Sequence, residues 1–392
     1  MRERTHRVAV LPGDATGPEL MAQAVRVLKA AGERFGFAVD CREGLIGQAA
    51  ILARGRALPP ETLRLCRASE AVLVGPLAGA KHVPTPPSAR PRQALITLRD
   101  MLGTFATVRP IRSFAGLRGV GALDCGSHPI NLVVVHDHTS GLFYGRPRGI
   151  VSQGEEEVAT NTMVYTTGEI ARVAHLACQV AATRARRVLL IDQAKQLDVG
   201  RLWARTFEAV GAAHPGITLA RRDAAHFFFE LVNRPEAYDV LVTEMSLGHL
   251  VCAAATGLTG AFALHPEASV GGAVSVFQPS HGSAPHLVGQ HQADPIGMIR
   301  AGALMLAWAF QEQAAAEAIE QAVAAVLAEG LWPAELAGAG GGRAVRVLGT
   351  EAMGEAVIQR LPPAVTTGHD EAPASAMLRE QGVPPGGQTR DA

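Results

Sequence analysis

Residues 8 to 19 read V-A-V-L-P-G-D-A-T-G-P-E. Val8 to Leu11 is a short apolar run of strand type, and Gly13 and Gly17 permit a tight turn after it. Pro18 to Phe35 then has the length and pattern of a helix, with proline at its first position, where the missing N–H costs nothing. A strand that feeds directly into a helix is the repeating unit of an α/β fold. Outward from this point the alternation continues. Ala71 to Val74, Leu132 to Val135, Val188 to Ile191 and Val240 to Val242 read as buried strands. Helices are predicted over residues 93–102, 168–184, 199–210, 295–311 and 313–329. The first turn is not G-x-G-x-x-G, so it lacks the phosphate loop of an ordinary dinucleotide fold.

The chain has 392 residues, 48% hydrophobic and 18% charged, which supplies a large core and suggests two domains. Its formal charge is zero and the basic residues are spread along it, so no nucleic-acid partner is indicated. No apolar run approaches the roughly 18 residues of a membrane span. The N-terminus M-R-E-R-T-H-R lacks the apolar core of a secretion signal, so a cytoplasmic protein with no membrane partner is expected. Cys41, Cys66, Cys125, Cys178 and Cys252 show no C-x-x-C spacing and read as small buried hydrophobes. Beyond Leu361 the composition turns to Pro, Gly, Ala and charged residues, and residues 362–392 are predicted to be a disordered tail.

Four stretches carry further information: L-P-G-D-A-T-G-P-E (11–19), T-S-G-L-F-Y-G (139–145), V-T-E-M-S-L-G-H-L (242–250) and F-Q-P-S-H-G-S-A-P-H (277–286). In this order and at these separations they resemble the isocitrate and isopropylmalate dehydrogenase family of β-decarboxylating dehydrogenases, over roughly residues 7–360. The resemblance implies a two-domain α/β fold of mixed sheets flanked by helices. Residues 1–106 with 260–360 would form a dinucleotide-type domain, and 107–259 a central domain with a dimerisation arm at about 149–165. It also implies a homodimer, or pairing with a related active subunit, with the position of Gln193 coming from the neighbouring subunit.

The family's substrate-carboxylate arginines fall on Arg99 and Arg109, and its third arginine on His136. Guanidinium groups bind carboxylates bidentately at any working pH, so a small carboxylate ligand is expected. The cofactor-binding set is Gly75, His281, Gly282, Ser283, Ala284, His286 and Asp294. The family's NAD-type members have aspartate at His286 and asparagine at Asp294, so NADP, weakened NAD binding and lost dinucleotide binding all stay open.

The catalytic positions depart further. Oxidative decarboxylation of a 2-hydroxy acid needs a base for the hydroxyl proton, a cation on the new carbonyl, and an acid for the enolate. The resemblance places the tyrosine on Phe143, with Tyr144 beside it, and the lysine on Gln193, with Lys195 two residues on. Were these segments extended, Tyr144 would point away from the site and Lys195 would share the face of Gln193. Two metal-binding aspartates fall on His249 and Ala253, and the third on Ala225, or on Asp223 after a two-residue shift. Magnesium or manganese is therefore not expected. Two outcomes follow: a rewired pocket using His136, His138 and His249, with His226, Asp137 or Asp223, as acid–base groups or as ligands for zinc or iron; or a non-catalytic sensor or subunit. An active NAD(P)-dependent dehydrogenase relying on Lys195 and Tyr144 is the remaining alternative.

Overall fold

The computed structural model describes residues 4–77, 91–117, 120, 129–260, 262–337 and 345–363. All of the predicted tail past residue 363, and Cys125, lie outside the described residues. The first unit is as expected: β1 (Arg4–Leu11) runs into α1 (Gly17–Phe35). Gly75 and Gly13 interlock there, because a Cβ on Gly75 would stand 1.9 Å from the Pro12 carbonyl oxygen and one on Gly13 2.5 Å from that of Pro76. Close backbone packing is thus what requires glycine at 75.

Ten strands form one mixed sheet. Five are β2 (Phe37–Glu43), β1, β3 (Ala71–Val74), β12 (Ser275–Pro279) and β11 (Pro266–Val270), in that spatial order. The order continues with β4 (Ala106–Arg112), β5 (Asn131–Asp137), β10 (Val240–Thr243), β8 (Arg187–Asp192) and β9 (Thr218–Asp223). The two halves join through the antiparallel pairing of β11 with β4, Ala268 facing Val108. The chain therefore crosses between halves rather than finishing one before starting the other.

Period-2 alternation decides what each sheet face buries. Val8, Leu73, Phe277, Ala268, Val108, Val135, Val188 and Val242 point to one face, where a single apolar core spans both halves. That core is closed by α1, α5 (Thr167–Ala182), α6 (Asp198–Gly211), α9 (Ile296–Ala309) and α10 (Gln313–Ala328). The opposite face is divided. Under α4 (Pro91–Met101), Leu11, Val74, Leu98 and Val276 make one cluster. Under α7 (Ala224–Asn233) and α8 (Met245–Thr259), Ile111, Val134, Ile191 and Val251 make another. Between those clusters the sheet carries polar residues.

A hairpin of β6 (Gly149–Gln153) and β7 (Glu156–Thr160) stands apart, exposed at every position. Ile150, Val151 and Val158 are 68%, 56% and 37% exposed there. Glu156 and Glu157 on it are solvated. The helix after it starts on a full capping box, Thr166 with Glu169. No described helix is long and apolar enough to cross a membrane. Cys66, Cys178 and Cys252 are buried and Cys41 partly so, all as free thiols.

Candidate active site

The polar strip between the two clusters has a buried carboxylate at its centre. Glu267 on β11 is 5% exposed, and Gln278 stands directly across from it on β12. Arg99, near the end of α4, donates from Nη2 to Glu267 Oε1 at 2.9 Å. Arg109 on β4 donates from Nη2 to Oε2, and the Gln278 amide donates to Oε1. Burial opposes the charge on Glu267, but Arg109 and Arg99 outweigh it and hold the carboxyl at about 2. The arginine pair predicted from the sequence does converge, then, but on an internal anion. The Nε atoms of both arginines are buried and without a partner among the described residues.

His136 ends β5 on the same face. Its Nδ1 is 2.7 Å from the Asp137 carbonyl, and its buried Nε2 has no partner among the described residues. Burial, then the neighbouring His249, lower it to about 3. α8 supplies that neighbour: its start is fixed by Glu244, which accepts from the Ser246 and Leu247 amides, and by the Met245 amide donating to the Tyr165 hydroxyl. The rings of His249 and His136 are 5.1 Å apart. Gly248 lets the helix come this close, since a Cβ there would lie 2.5 Å from His136 Cβ. Cys252, one turn on, is buried, and burial raises its thiol to about 11, with Arg109 pulling it down.

His138 is not a free acid or base. Its Nε2 is 3.1 Å from the Thr104 hydroxyl and its Nδ1 3.0 Å from that of Thr107. Thr104 spends its one proton on the Arg99 carbonyl, so Nε2 carries the ring's hydrogen and Nδ1 accepts from Thr107. Burial, and then Arg99, hold this imidazole at about 2. Asp137 is also structural: it accepts from the amides of Thr139 and Ser140, and Arg172 stands 3.8 Å away.

Several expectations are corrected. Phe143 and Tyr144 do not sit on an extended segment; Gly141–Phe143 is one 3₁₀ turn, so they do not oppose each other. Phe143 approaches the His249 ring at 5.9 Å, and Tyr144 lies where Arg99 acts on its phenol, although burial raises that phenol overall. Lys195 is not on a strand: β8 ends at Asp192, and Lys195 is exposed on the turn that follows. His226 is exposed and paired with Glu230 at 3.2 Å. Asp223 caps α7, accepting from the Ala225 amide, at the outer edge of the sheet. Three strand spacings, roughly 14 Å, separate it from His136, so Asp223 and His249 do not form one site within the chain. Among the described residues no three His, Cys, Asp or Glu side chains converge to hold a metal ion. Residues absent from the predicted set are Glu267, Gln278, Cys252, Thr104 and Thr107.

A second group of unpartnered atoms lies on the loop 281–294. Thr16, at the start of α1, donates from both its hydroxyl and its amide to the Ser283 carbonyl, at 2.8 and 3.2 Å. On this loop His281 Nε2, Ser283 Oγ and Asp294 Oδ2, and on α1 Glu19 Oε1, are all buried without partners among the described residues. Ala284 is left-handed, φ 39°, while Gly282 and His286 face solvent. Asp294 is 2% exposed; its Oδ1 accepts from the Ile296 amide, and burial raises the acid to about 7. His281 and Ser283 can donate or accept here, whereas the carboxylate oxygens of Glu19 and Asp294 suit donors such as hydroxyl groups.

Comparison with known proteins places this geometry. A profile described as isocitrate/isopropylmalate dehydrogenase matches residues 7–357. The chain belongs to the isocitrate/isopropylmalate dehydrogenase family. Among its relatives, the 3-isopropylmalate dehydrogenase of Moorella thermoacetica is 40% identical over 361 residues, spanning 91% of this chain and 99% of the relative. That of Geobacillus kaustophilus is 38% identical, spanning 90% and 94%. Among solved structures, isocitrate dehydrogenase from Methylococcus capsulatus superposes with a TM-score of 0.79 at 31% identity, over 91% of this chain and 99% of that one. A beta-decarboxylating dehydrogenase from Thermococcus kodakarensis, in its apo form, gives 0.74 at 27% identity, over 91% and 96%. The likeness to the family thus covers nearly all of the described body.

Proposed function

We propose that this family member binds a small carboxylate in a cleft over the polar strip, lined by Arg99 and Arg109, beside a dinucleotide, and that it does not carry out the metal-dependent oxidative decarboxylation its family resemblance implies. One observation carries the reading: His136 and His138 are buried, His138 with both ring nitrogens engaged by threonine hydroxyls, and burial keeps both imidazoles neutral near pH 7. Phe143 and Gln193 stand where the resemblance puts the proton-transferring tyrosine and lysine, and neither side chain is an acid or base. The donor set fits magnesium or manganese poorly, because those ions want hard oxygen ligands and two of the three expected carboxylates are His249 and Ala253.

The dinucleotide fits better. Ser283, His281 and Asp294 would hold it with their unpartnered atoms, and when bound it would supply a hydride acceptor. His286, exposed on this loop, would meet a 2′-phosphate when protonated, so NADP stands beside NAD as the candidate. Initial rates with 3-isopropylmalate or isocitrate, NAD or NADP, and added Mg²⁺ or Mn²⁺ test the loss of turnover. The expected result is a kcat at least about 10⁴-fold below a typical 10 s⁻¹, alongside a thermal shift with NAD or NADP. Turnover of ordinary size would end this reading.

The exposed hairpin favours a second element of function, assembly with another copy or with a related subunit. Its apolar residues, Ile150, Val151 and Val158, would be covered by a partner. Replacing Ile150 and Val158 with aspartate should convert a dimer to a monomer by light scattering, and an unchanged mass would remove the hairpin from the interface.

A further inference from the structure

We infer that Glu267 sets the charge of the ligand, so that the cleft accepts a singly charged carboxylic acid in preference to a dianion or trianion. This rests on the reading that the cleft binds a small acid, and adds what kind. The floor holds two fixed positive charges, Arg99 and Arg109, and one fixed negative charge placed between them. His136 and His138 contribute none near neutrality, and the Cys252 thiol stays protonated. Asp137 is faced by Arg172, and near Tyr144 the charges of Asp100 and Arg148 oppose each other. The two arginines and Glu267 together leave one positive charge.

Geometry limits the binding atoms in the same way. Nη2 of each guanidinium donates to Glu267, so part of each fork is already spent on an internal anion. Among the buried atoms Arg99 Nε, Arg109 Nε and His136 Nε2 stay unpartnered and would help to orient a ligand carboxylate. A second carboxylate in this strip would stand beside Glu267 and be repelled by it.

Matched acids test the count: 2-hydroxyisocaproate against 3-isopropylmalate, and lactate against malate, each pair differing by one carboxylate. With the unaltered protein and saturating NAD or NADP, the monoacid of each pair should bind at least about tenfold more tightly in titration calorimetry. Glu267→Gln should reverse the order. Glu267→Gln with Arg99→Gln restores the original net charge and should restore the monoacid preference. The double variant also leaves fewer unpaired buried charges, so it is the measurement to rely on if the single variant folds poorly. A diacid preference in the unaltered protein, or a double variant that behaves like the single one, overturns the charge count alone. Failure of every acid to bind any of the three proteins overturns the carboxylate reading as well.

Discussion

Glu267→Gln should lower the free energy of unfolding by about 3 to 5 kcal/mol, the range for removing one member of a buried ion pair. The size follows from what is left behind. Arg99 and Arg109 have side chains only 16% and 10% exposed, and Glu267 is the acid that pairs with both. Without its charge two guanidinium ions would share a low-dielectric strip with no counter-ion, and each stays protonated at any working pH. Arg109→Met should cost less, since Glu267 keeps Arg99 and Gln278. Urea unfolding of both variants measures the difference. A loss below about 1 kcal/mol for Glu267→Gln would mean that the arginines find another anion or water.

Asp294 should make the protein less stable as pH rises. Its acid is raised from an ordinary 3.8 to about 7, first by burial and then by Glu335, which His286 in turn faces. The folded state therefore holds this proton at pH values where the unfolded chain has released it. Stability from the neutral acid is complete below pH 3.8 and is lost progressively up to pH 7. Between pH 5 and pH 8 the loss from this one group is about 2 to 3 kcal/mol. Asp294→Asn cannot titrate and keeps an acceptor for the Ile296 amide. The variant should match the parent only near and below pH 4, and exceed it in melting temperature by a margin that grows from pH 5 to pH 8. Parallel curves for the two proteins would place the carboxylate in contact with water.

Much of the architecture was legible because local pattern and tertiary demand agree. Helices predicted at 199–210 and 313–329 occur at Asp198–Gly211 and Gln313–Ala328, where apolar spacing faces the spanning core. Strands β11 and β12 were not assigned. Their faces alternate between the apolar core and the polar strip, so H-P-E-A-S-V and S-V-F-Q-P give no continuous hydrophobic run. That is also why Glu267 was missed. A lone acid flanked by Pro266, Ala268 and Val270 was the available signal, since a charge inside a buried strand requires a partner. Arg99 and Arg109 were found through the resemblance, but their counter-ion lies 168 and 158 residues away in the chain. The histidines mislead for a different reason. Composition reveals an imidazole, whereas threonine hydroxyls from α4's end and β4 decide whether His138 keeps its chemistry.

The ladder joining β11 to β4 has a mechanical consequence. Two lobes connected only by linkers would swing about a hinge, but here hydrogen bonds cross the boundary at Ala268, Ser269 and Val270 and one slab of side chains backs both lobes. Opening the groove must bend that slab rather than part it, and amplitude is then limited by how far a twisted sheet can flex. Relative motion of the two halves would therefore appear as strain shared across ten strands.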